Sequence, residues 1–242
     1  MMTQRELSIL RDALPPGADL SEAVRRVEAG EPLAYVIGEW YFYGLTFKLN
    51  RHCLIPRPDT EHTVEAVIGI LPKEGRFADL CAGSGCIGIS VLKNRPDAYC
   101  DALEISPEAC EAIRLNGELN GVSARMNTVN ADVFTYSPTE KYDIIVSNPP
   151  YIRSSVIPTL DINVQKEPRI ALDGGEDGMR FYRAILTDYA EYLNDGGSFV
   201  FEIGYDQREQ IEALALQSGY GYCRVTKDYG GNDRVAVIRR HA

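Results

Sequence analysis

The spacing of apolar and polar positions divides this chain into a short leading part and a longer second part. Residues 3–30 predict two short helices, because Leu7, Leu10 and Leu14 recur at helical spacing before a second amphipathic stretch begins. Residues 40–49 are aromatic and β-branched around a central glycine, which predicts a β-hairpin. The leading part is therefore expected to be helical with one hairpin.

Beyond the hairpin, helical and extended patterns alternate. Val64, Val67, Ile68 and Leu71 have the i, i+3, i+4, i+7 spacing of a helix that faces a core. The segments that follow predict strands at 76–81, 99–104, 125–130, 142–147, 197–203, 222–228 and 233–239, with helices at 86–94, 107–119, 178–193 and 206–217.

This alternation predicts an α/β fold with a mostly parallel sheet covered on both faces. Residues 229–232 are too few for a crossover, so the last two strands must pair antiparallel. Such a seven-stranded, Rossmann-like, doubly wound sheet is the arrangement of class I methyltransferases. We expect residues 1–52 to form a reduced helical region with a β-hairpin and residues 53–242 to form the main domain.

Composition narrows the functional classes. The chain has 242 residues, is 45% hydrophobic and carries a net charge of −10, which counts against a nucleic-acid substrate because phosphate binding needs basic surface. The longest basic cluster is Arg239-Arg240. With no run of 18 apolar residues and no apolar leader, we expect a cytoplasmic monomer without a membrane segment. The six cysteines lack metal-site spacing and are interpreted as small buried side chains, so no metal is expected.

A glycine-rich loop follows the first strand of the main domain. In Cys81-Ala82-Gly83-Ser84-Gly85, the glycines let the backbone turn sharply and approach a ligand at the start of the next helix. Glu104 ends the next strand, where it can accept hydrogen bonds from two ribose hydroxyls. Asp132 follows the third strand and can receive an adenine amino group, with Val133 beside the ring. These residues predict a nucleoside site, and a dinucleotide-binding fold remains an alternative.

The string Asn148-Pro149-Pro150-Tyr151 follows the fourth strand and is the candidate chemical centre. The nitrogen of a planar amide or an aromatic amine is a poor nucleophile because its lone pair is delocalised, and both of its N–H groups need acceptors. The Asn148 side-chain oxygen and the Pro149 carbonyl supply two, consecutive prolines fix the backbone, and Tyr151 offers a flat face. We therefore predict Asn148, Pro149 and Tyr151 as catalytic and residues 148–151 as the substrate site. The alternative is a simple turn after a buried strand.

The predicted methyl donor is S-adenosyl-L-methionine, which leaves as S-adenosyl-L-homocysteine. Its sulfonium is already an excellent leaving group, so neither a metal nor a covalent nucleophile is required. Held near 3 Å from the methyl carbon and in line with the sulfur, the amide nitrogen reaches roughly a near-attack geometry. No catalytic histidine is needed, and His52, His62 and His241 are interpreted as structural or surface residues.

From about Pro32 to Ile238 the chain resembles the peptide chain release factor N(5)-glutamine methyltransferases, also called the HemK or PrmC family. The resemblance is carried by these strings: Pro32-Leu33-Ala34-Tyr35-Val36-Ile37-Gly38-Glu39, Pro56-Arg57-Pro58-Asp59-Thr60-Glu61, the glycine-rich loop, Asn148-Pro149-Pro150-Tyr151-Ile152, Glu167-Pro168, Ala171-Leu172-Asp173-Gly174-Gly175, Glu202-Ile203-Gly204, and Asp228 with Arg234. It implies methylation of the glutamine in the Gly-Gly-Gln tip of class I peptide chain release factors.

By the same resemblance, residues 81–85, Glu104, Asp132, Val133 and Asn148 hold the cofactor, and residues 148–151 hold the glutamine. The family often has Gly where Cys81 stands, and it usually carries a larger helical domain before Pro32, which helps to dock the release factor.

Residues 56–61 separate this family from the related enzyme that acts on a ribosomal protein glutamine, which usually has a Pro-Arg-Ser-Pro type sequence at this point. Arg57 and Asp59 are candidates to line the methionine end of the cofactor site or to meet the incoming loop. The alternative is a rigid turn in which Asp59 or Thr60 caps the next helix.

Three competing hypotheses remain at this stage. An adenine-N(6) methyltransferase on DNA or RNA uses a similar geometry around an exocyclic amine. A glutamine methyltransferase of a ribosomal protein shares the Asn-Pro-Pro-Tyr string. A catalytically silent cofactor-binding module is the third, and the presence of Glu104, Asp132 and Asn148 together argues against it.

Overall fold

The computed structural model describes residues 2–15 and 17–239, so Arg240 of the basic pair and His241 lie outside the described residues. The helices and strands in chain order are α1 (Gln4–Ala13), α2 (Leu20–Glu28), α3 (Leu33–Ile37), β1 (Glu39–Phe42), β2 (Leu45–Lys48), α4 (Glu61–Ile70), β3 (Arg76–Leu80), α5 (Cys86–Asn94), β4 (Tyr99–Glu104), α6 (Pro107–Leu119), β5 (Met126–Asn130), β6 (Tyr142–Ser147), α7 (Ile162–Gln165), α8 (Arg180–Asp188), β7 (Leu193–Glu202), α9 (Arg208–Gln217), β8 (Tyr222–Lys227) and β9 (Asp233–Arg239).

Seven strands form one sheet in the order β5-β4-β3-β6-β7-β9-β8. Strands β3 to β7 run parallel, whereas β9 pairs antiparallel with both β7 and β8. The predicted fold class, with its antiparallel closing pair, is confirmed, and β1 and β2 form a separate antiparallel hairpin as expected. Strands β3 and β6 are neighbours, but the strand after β3, which is β4, lies on one side of this pair, and the strand after β6, which is β7, lies on the other. A crevice therefore opens at the carboxyl ends of β3 and β6.

Apolar side chains cover both faces of the sheet. On one face, Val67 of α4 and Ile89 of α5 belong to a buried cluster with Phe77 of β3. On the other, Tyr182 of α8 and Ile211 of α9 belong to a second cluster that contains the inner residues of β7. Burial on both faces explains why these strands read as nearly continuous apolar runs.

Three boundaries and a short helix are examples of where the structure differs from the sequence-based expectation. The helix predicted at 178–193 is wrong at both ends, since α8 covers only Arg180–Asp188. Gly178 has φ +77°, which lies outside helical geometry, and residues 190–192 form a 3₁₀ turn. Strand β7 accordingly begins at Leu193 rather than at 197. The short helix α3 was not predicted, because five residues ended by a glycine carry too little periodicity.

The leading helices pack on one another and on the main domain. Leu10, Ala23 and Val36 join α1, α2 and α3 in one small buried cluster. The Tyr35 hydroxyl of α3 donates to the Cys53 carbonyl at 2.5 Å, and both residues lie in a further cluster with side chains of α6. The leading region is therefore connected to the sheet domain through α6.

Asn116 of α6 fastens the hairpin to the glycine-rich loop. Its side-chain oxygen accepts from the Lys48 N–H at 2.6 Å, and its Nδ2 donates to the carbonyls of Lys48 and Ser84, both at 3.0 Å. Asn116 is fully buried, so these three bonds satisfy an amide that would otherwise be costly in the interior. One side chain thus fixes the position of the hairpin relative to the loop.

Some features are missing from the described part of the chain. No helix in it has both the length and the apolar character needed to cross a bilayer. Within the same residues, no group of three or more His, Cys, Asp or Glu side chains has the arrangement of a metal site. All six cysteines are free.

Gly88 and Gly69 form a matched pair for testing how tightly α5 packs on the sheet. A Cβ at Gly88 would lie 3.0 Å from the Cys100 sulfur and 3.1 Å from the Asp79 carboxylate, whereas a Cβ at Gly69 meets nothing within 4 Å. We expect Gly88→Ala to lower the free energy of unfolding by about 1–3 kcal/mol through overpacking. Gly69→Ala should raise it by about 0.5–1 kcal/mol through helix propensity. Urea unfolding measures both, and equal shifts would contradict the close packing of α5.

Candidate active site at the carboxyl edge of the sheet

A cavity of about 450 Å³ opens at the carboxyl ends of the central strands. The residues that line it come from six stretches that are distant in sequence, namely 52–60, 81–87, 103–105, 131–134, 148–150 and 154–181. Loops after parallel strands gather at one edge of a sheet, so these stretches meet although up to a hundred or so residues separate them. The cavity is therefore the place to look for the predicted site.

The glycine-rich loop forms the floor of the cavity. Gly83 and Gly85 have φ values of +56° and +78°, in the left-handed region that glycine adopts without steric cost. A Cβ at Gly83 would meet nothing within 4 Å, so its backbone faces open space. Cys81 also has a left-handed φ, +59°, which gives a backbone reason why glycine suits this position.

Glu104 stands at the end of β4 beside this loop. Its Oε2 accepts from the Gly83 N–H at 2.8 Å, and its Oε1 accepts from the Ser106 N–H at 3.0 Å. Burial raises the pKa of Glu104, and the two backbone N–H groups oppose that rise. The carboxylate is held rigidly in the cavity wall, and each oxygen keeps a lone pair for a further donor.

Asp132 and Val133 follow β5 and form the adjoining wall. Asp132 Oδ1 accepts from the Phe134 N–H at 2.9 Å, which fixes the turn. The hydroxyl of Tyr189, the residue after α8, donates to the Val133 carbonyl at 3.1 Å. Val133 is buried and lines the cavity together with Asp132. An acceptor and an apolar surface therefore lie side by side in the wall.

Asn148 enters the cavity from the end of β6. Its Nδ2 donates to the Thr60 hydroxyl at 3.3 Å, and Asn148 is half-buried. Pro149 and Pro150 behind it are buried, and no described residue donates a hydrogen bond to the Pro149 carbonyl. Asn148 and Pro150 line the cavity.

The Asn148–Tyr151 segment is held tightly from behind. The Tyr151 hydroxyl donates to Glu202 Oε1 at 3.3 Å, and Gln207 Nε2 donates to the Tyr151 carbonyl at 3.1 Å. A Cβ on Gly174 would lie 2.7 Å from the Tyr151 Cα, so only glycine permits this approach of two backbones. The segment is clamped between β7 and residues 172–178.

The structure therefore brings most of the predicted site residues into one cavity. Those that line it are Cys81, Ala82, Gly83, Ser84, Glu104, Asp132, Val133, Asn148 and Pro150. Gly85, Pro149 and Tyr151 lie behind the lining, with the Tyr151 hydroxyl directed to Glu202.

Residues 56–61 form a 3₁₀ turn, Pro58–Thr60, that leads into α4. Arg57 lines the cavity and forms an ion pair with Glu167, whereas Asp59 lies outside it, 3.5 Å from Arg234. The alternative in which Asp59 or Thr60 caps α4 is wrong, because neither side chain bonds the first turn of the helix. The Thr60 hydroxyl instead accepts from Asn148.

Three structural contributors were not assigned a role from the sequence. Glu202 lies behind Tyr151, and Glu167 bonds the Ile55 N–H at 3.0 Å as well as Arg57. The Arg180 guanidinium stacks over the Phe134 ring, 4.3 Å from its centroid, in the cavity wall. For Glu167 and Glu202 the sequence gave one indication, because both lie in strings that carry the family resemblance. Arg180 had none, since a single polar residue has no periodicity.

Comparison with known proteins gives three findings. The model of the family described as methyltransferase small domain matches residues 61–164. The release factor glutamine methyltransferase of Agrobacterium fabrum is 37% identical over 230 residues, which cover 92% of this chain and 79% of that protein. The release factor glutamine methyltransferase of Moorella thermoacetica is 40% identical over 241 residues, covering 98% and 85%.

Among solved structures, a methyltransferase from Pyrococcus furiosus has a TM-score of 0.62 at 18% identity. The match covers 90% of this chain and 97% of that chain. At this identity the similarity shows the shared fold alone.

Glu167 connects two walls of the cavity, and its removal provides a test of that connection. Glu167→Ala leaves the Ile55 N–H without its acceptor and Arg57 without its partner, so we expect unfolding to become easier by about 1–3 kcal/mol. As a control, Glu212→Ala breaks an exposed pair with Arg208 and should cost less than about 1 kcal/mol. Urea unfolding of both variants gives the comparison, and equal losses would argue against the connection.

Proposed function

Because this chain belongs to the family of release factor glutamine methyltransferases, we propose that it transfers a methyl group from S-adenosyl-L-methionine to a release factor glutamine. The acceptor is the side-chain amide nitrogen of the Gly-Gly-Gln motif of class I release factors. One observation carries the proposal: a single cavity is lined both by the residues predicted to bind a nucleoside and by Asn148.

The residues in the cavity fit the cofactor. The open backbone at Gly83 supports close approach of its amino-acid portion to residues 81–85. The fixed carboxylate of Glu104 suits the two ribose hydroxyls, and Asp132 with Val133 suits the adenine. When bound, the cofactor supplies an electrophilic methyl group on a sulfonium.

The acceptor amide is oriented by the chain itself. In this proposal, the Asn148 side-chain oxygen accepts one N–H of the glutamine, and the Pro149 carbonyl, which no described residue engages, accepts the other. Tyr151 maintains the segment through its bond to Glu202. Two fixed acceptors hold the nitrogen in one orientation, and such positioning can supply a large part of the rate enhancement.

The leading region has a proposed role in docking. Within residues 1–52, the side chains of Ala34, Tyr35 and Leu49 pack with α6, and His52 lies in the cavity lining itself. A release factor that inserts its glutamine would therefore meet this region at the rim. We propose that it contributes to recognition rather than to the chemistry.

The first experiment tests whether the release factor glutamine is the substrate. We expect mass spectrometry to find one added methyl group on the Gly-Gly-Gln glutamine of a release factor incubated with the enzyme and cofactor. A factor with Gly-Gly-Asn in its place is the matched control and should stay unmodified. Label from the cofactor that enters only DNA or RNA would contradict the proposal and support adenine methylation.

The second experiment tests the proposed role of Asn148. Asn148→Ala removes the acceptor oxygen, so we expect kcat to fall by roughly 100-fold to 1,000-fold, as when one catalytic hydrogen-bonding group is deleted. Cofactor binding, followed by calorimetry, should change by much less. Asn127→Ala, an exposed position on β5, is the control for loss of an asparagine elsewhere. Undiminished kcat in Asn148→Ala would refute this role.

A further inference from the structure

A buried carboxyl group lies directly behind the proposed centre. Glu202 ends β7 and is only 2% exposed. Ser147 pairs with Phe201 in the parallel register of β6 and β7, so Glu202 is level with Asn148. The Tyr151 hydroxyl donates to its Oε1 at 3.3 Å, whereas Oε2 is buried without a hydrogen-bond partner among the described residues. The Thr60 hydroxyl lowers the pKa of this carboxyl.

Hydrogen-bond direction in this cluster is set by the carboxylate. An ionised carboxylate can only accept, and a threonine hydroxyl has a single proton to donate. The Thr60 oxygen accepts from Asn148 Nδ2 at 3.3 Å, so its own proton is left to point toward the unpartnered Oε2 of Glu202. The NH₂ end of the Asn148 amide is thereby held toward Thr60. Its oxygen, on the other branch of the planar amide, is left for the cavity.

We propose that Glu202 is a positioning residue that, through Thr60, keeps the Asn148 amide with its oxygen toward the substrate. The inference rests on the proposed amide methylation. A glutamine NH₂ group presents two donors and needs acceptors. If the Asn148 amide turned over, its own NH₂ group would face the donors of the substrate, and the required hydrogen bond would be lost.

The charge state of Glu202 depends on groups from every element around it. Burial raises its pKa to about 7, while Thr60, Arg234 and Tyr151 lower it and Asp59 raises it. Arg234 is itself shared with Asp228 at 3.1 Å. The other titratable side chains that interact with the Glu202 charge are Tyr182 of α8 and Cys86 of α5.

This setting gives a direction for pH dependence. Above the raised pKa, Glu202 is ionised and orders the cluster as described. As the pH falls through about 7, the carboxyl gains a proton that it can donate to Thr60, which frees the Thr60 hydroxyl to donate to Asn148. The fraction of Asn148 with its oxygen toward the cavity then falls, and kcat falls with it.

Glu202→Gln provides the main test because it keeps the shape of the side chain and replaces an obligate acceptor by a group with two N–H donors. We expect kcat to fall by roughly 100-fold, with KM for the release factor and cofactor affinity changed only a few-fold. Thr60→Val, which also keeps its shape, should have the same effect, and Thr60→Ser should retain activity. Glu209→Gln on α9 is the exposed control.

The pH profile separates positioning from a structural role. Wild-type kcat should decrease below about pH 7, whereas kcat of Glu202→Gln should be low and flat. Asp79 is a second buried carboxyl beside the cavity, with its pKa raised by burial to about 7, and it is unchanged in this variant. A pH dependence that survives in Glu202→Gln would belong to another carboxyl, Asp79 or Glu104, and would overturn the assignment.

A readout without turnover comes from the ¹⁵N NMR signal of the Asn148 side-chain amide. In the wild type its protons should exchange slowly because they bond to Thr60, and in Glu202→Gln they should exchange faster and shift. Urea unfolding verifies that each variant is folded. Slow exchange and full kcat in a folded Glu202→Gln variant would overturn the inference. If the wild type fails to methylate release factors, the proposed function fails, whereas the NMR comparison still decides the orientation of Asn148.

Discussion

The pairing of β3 with β6 is the constraint on which the site depends. These neighbouring parallel strands end at the same edge, yet β4 and β5 lie to one side and β7, β9 and β8 to the other. The chain leaves β3 and β6 toward opposite sides of the sheet, so the glycine-rich loop after β3 and Asn148 after β6 face the same space, which part of the β6–β7 connection also lines. Ser147 strengthens this junction, because its hydroxyl donates to the Leu80 carbonyl at 2.6 Å. A register shift of one residue would turn Asn148 away from the loop.

The periodicity of apolar residues explains how much of the fold could be predicted from the sequence alone. Strands such as 99–104 and 142–147 and helices such as 107–119 were predicted with their observed bounds, since long apolar runs and helical spacing are local signals. The glycine spacing and the acidic residues after successive strands likewise predicted site residues, and most of these line one cavity. The bond between Thr60 and Asn148 joins residues 88 positions apart, and no local pattern encodes it. The predicted boundaries of α8 were wrong because Gly178 adopts φ +77° and residues 190–192 form a 3₁₀ turn, and apolar spacing does not report either feature.

Buried polar side chains define the shape of the cavity. Asn116, Glu167 and Glu202 each bond to a segment far away in the chain, and each is less than a tenth exposed. Such groups stabilise little on balance, because removal from water offsets most of their hydrogen-bond energy. Their contribution is specificity, since an alternative arrangement of the loops would leave them unpaired in the interior. The apolar clusters determine that the sheet forms, and these polar residues determine how its loops meet.

Asn116 gives this arrangement a thermodynamic consequence. Because one side chain bonds both the Lys48 backbone in the hairpin and the Ser84 carbonyl in the glycine-rich loop, local opening of either segment weakens the other. A ligand that binds the ordered loop therefore also stabilises the hairpin by linkage, although the hairpin strands do not line the cavity. Because coupling between two binding equilibria is reciprocal, a partner that binds the ordered hairpin raises the affinity for that ligand by the same factor. A protein substrate docking at the leading region and a small molecule on the loop would in this way assist each other across α6.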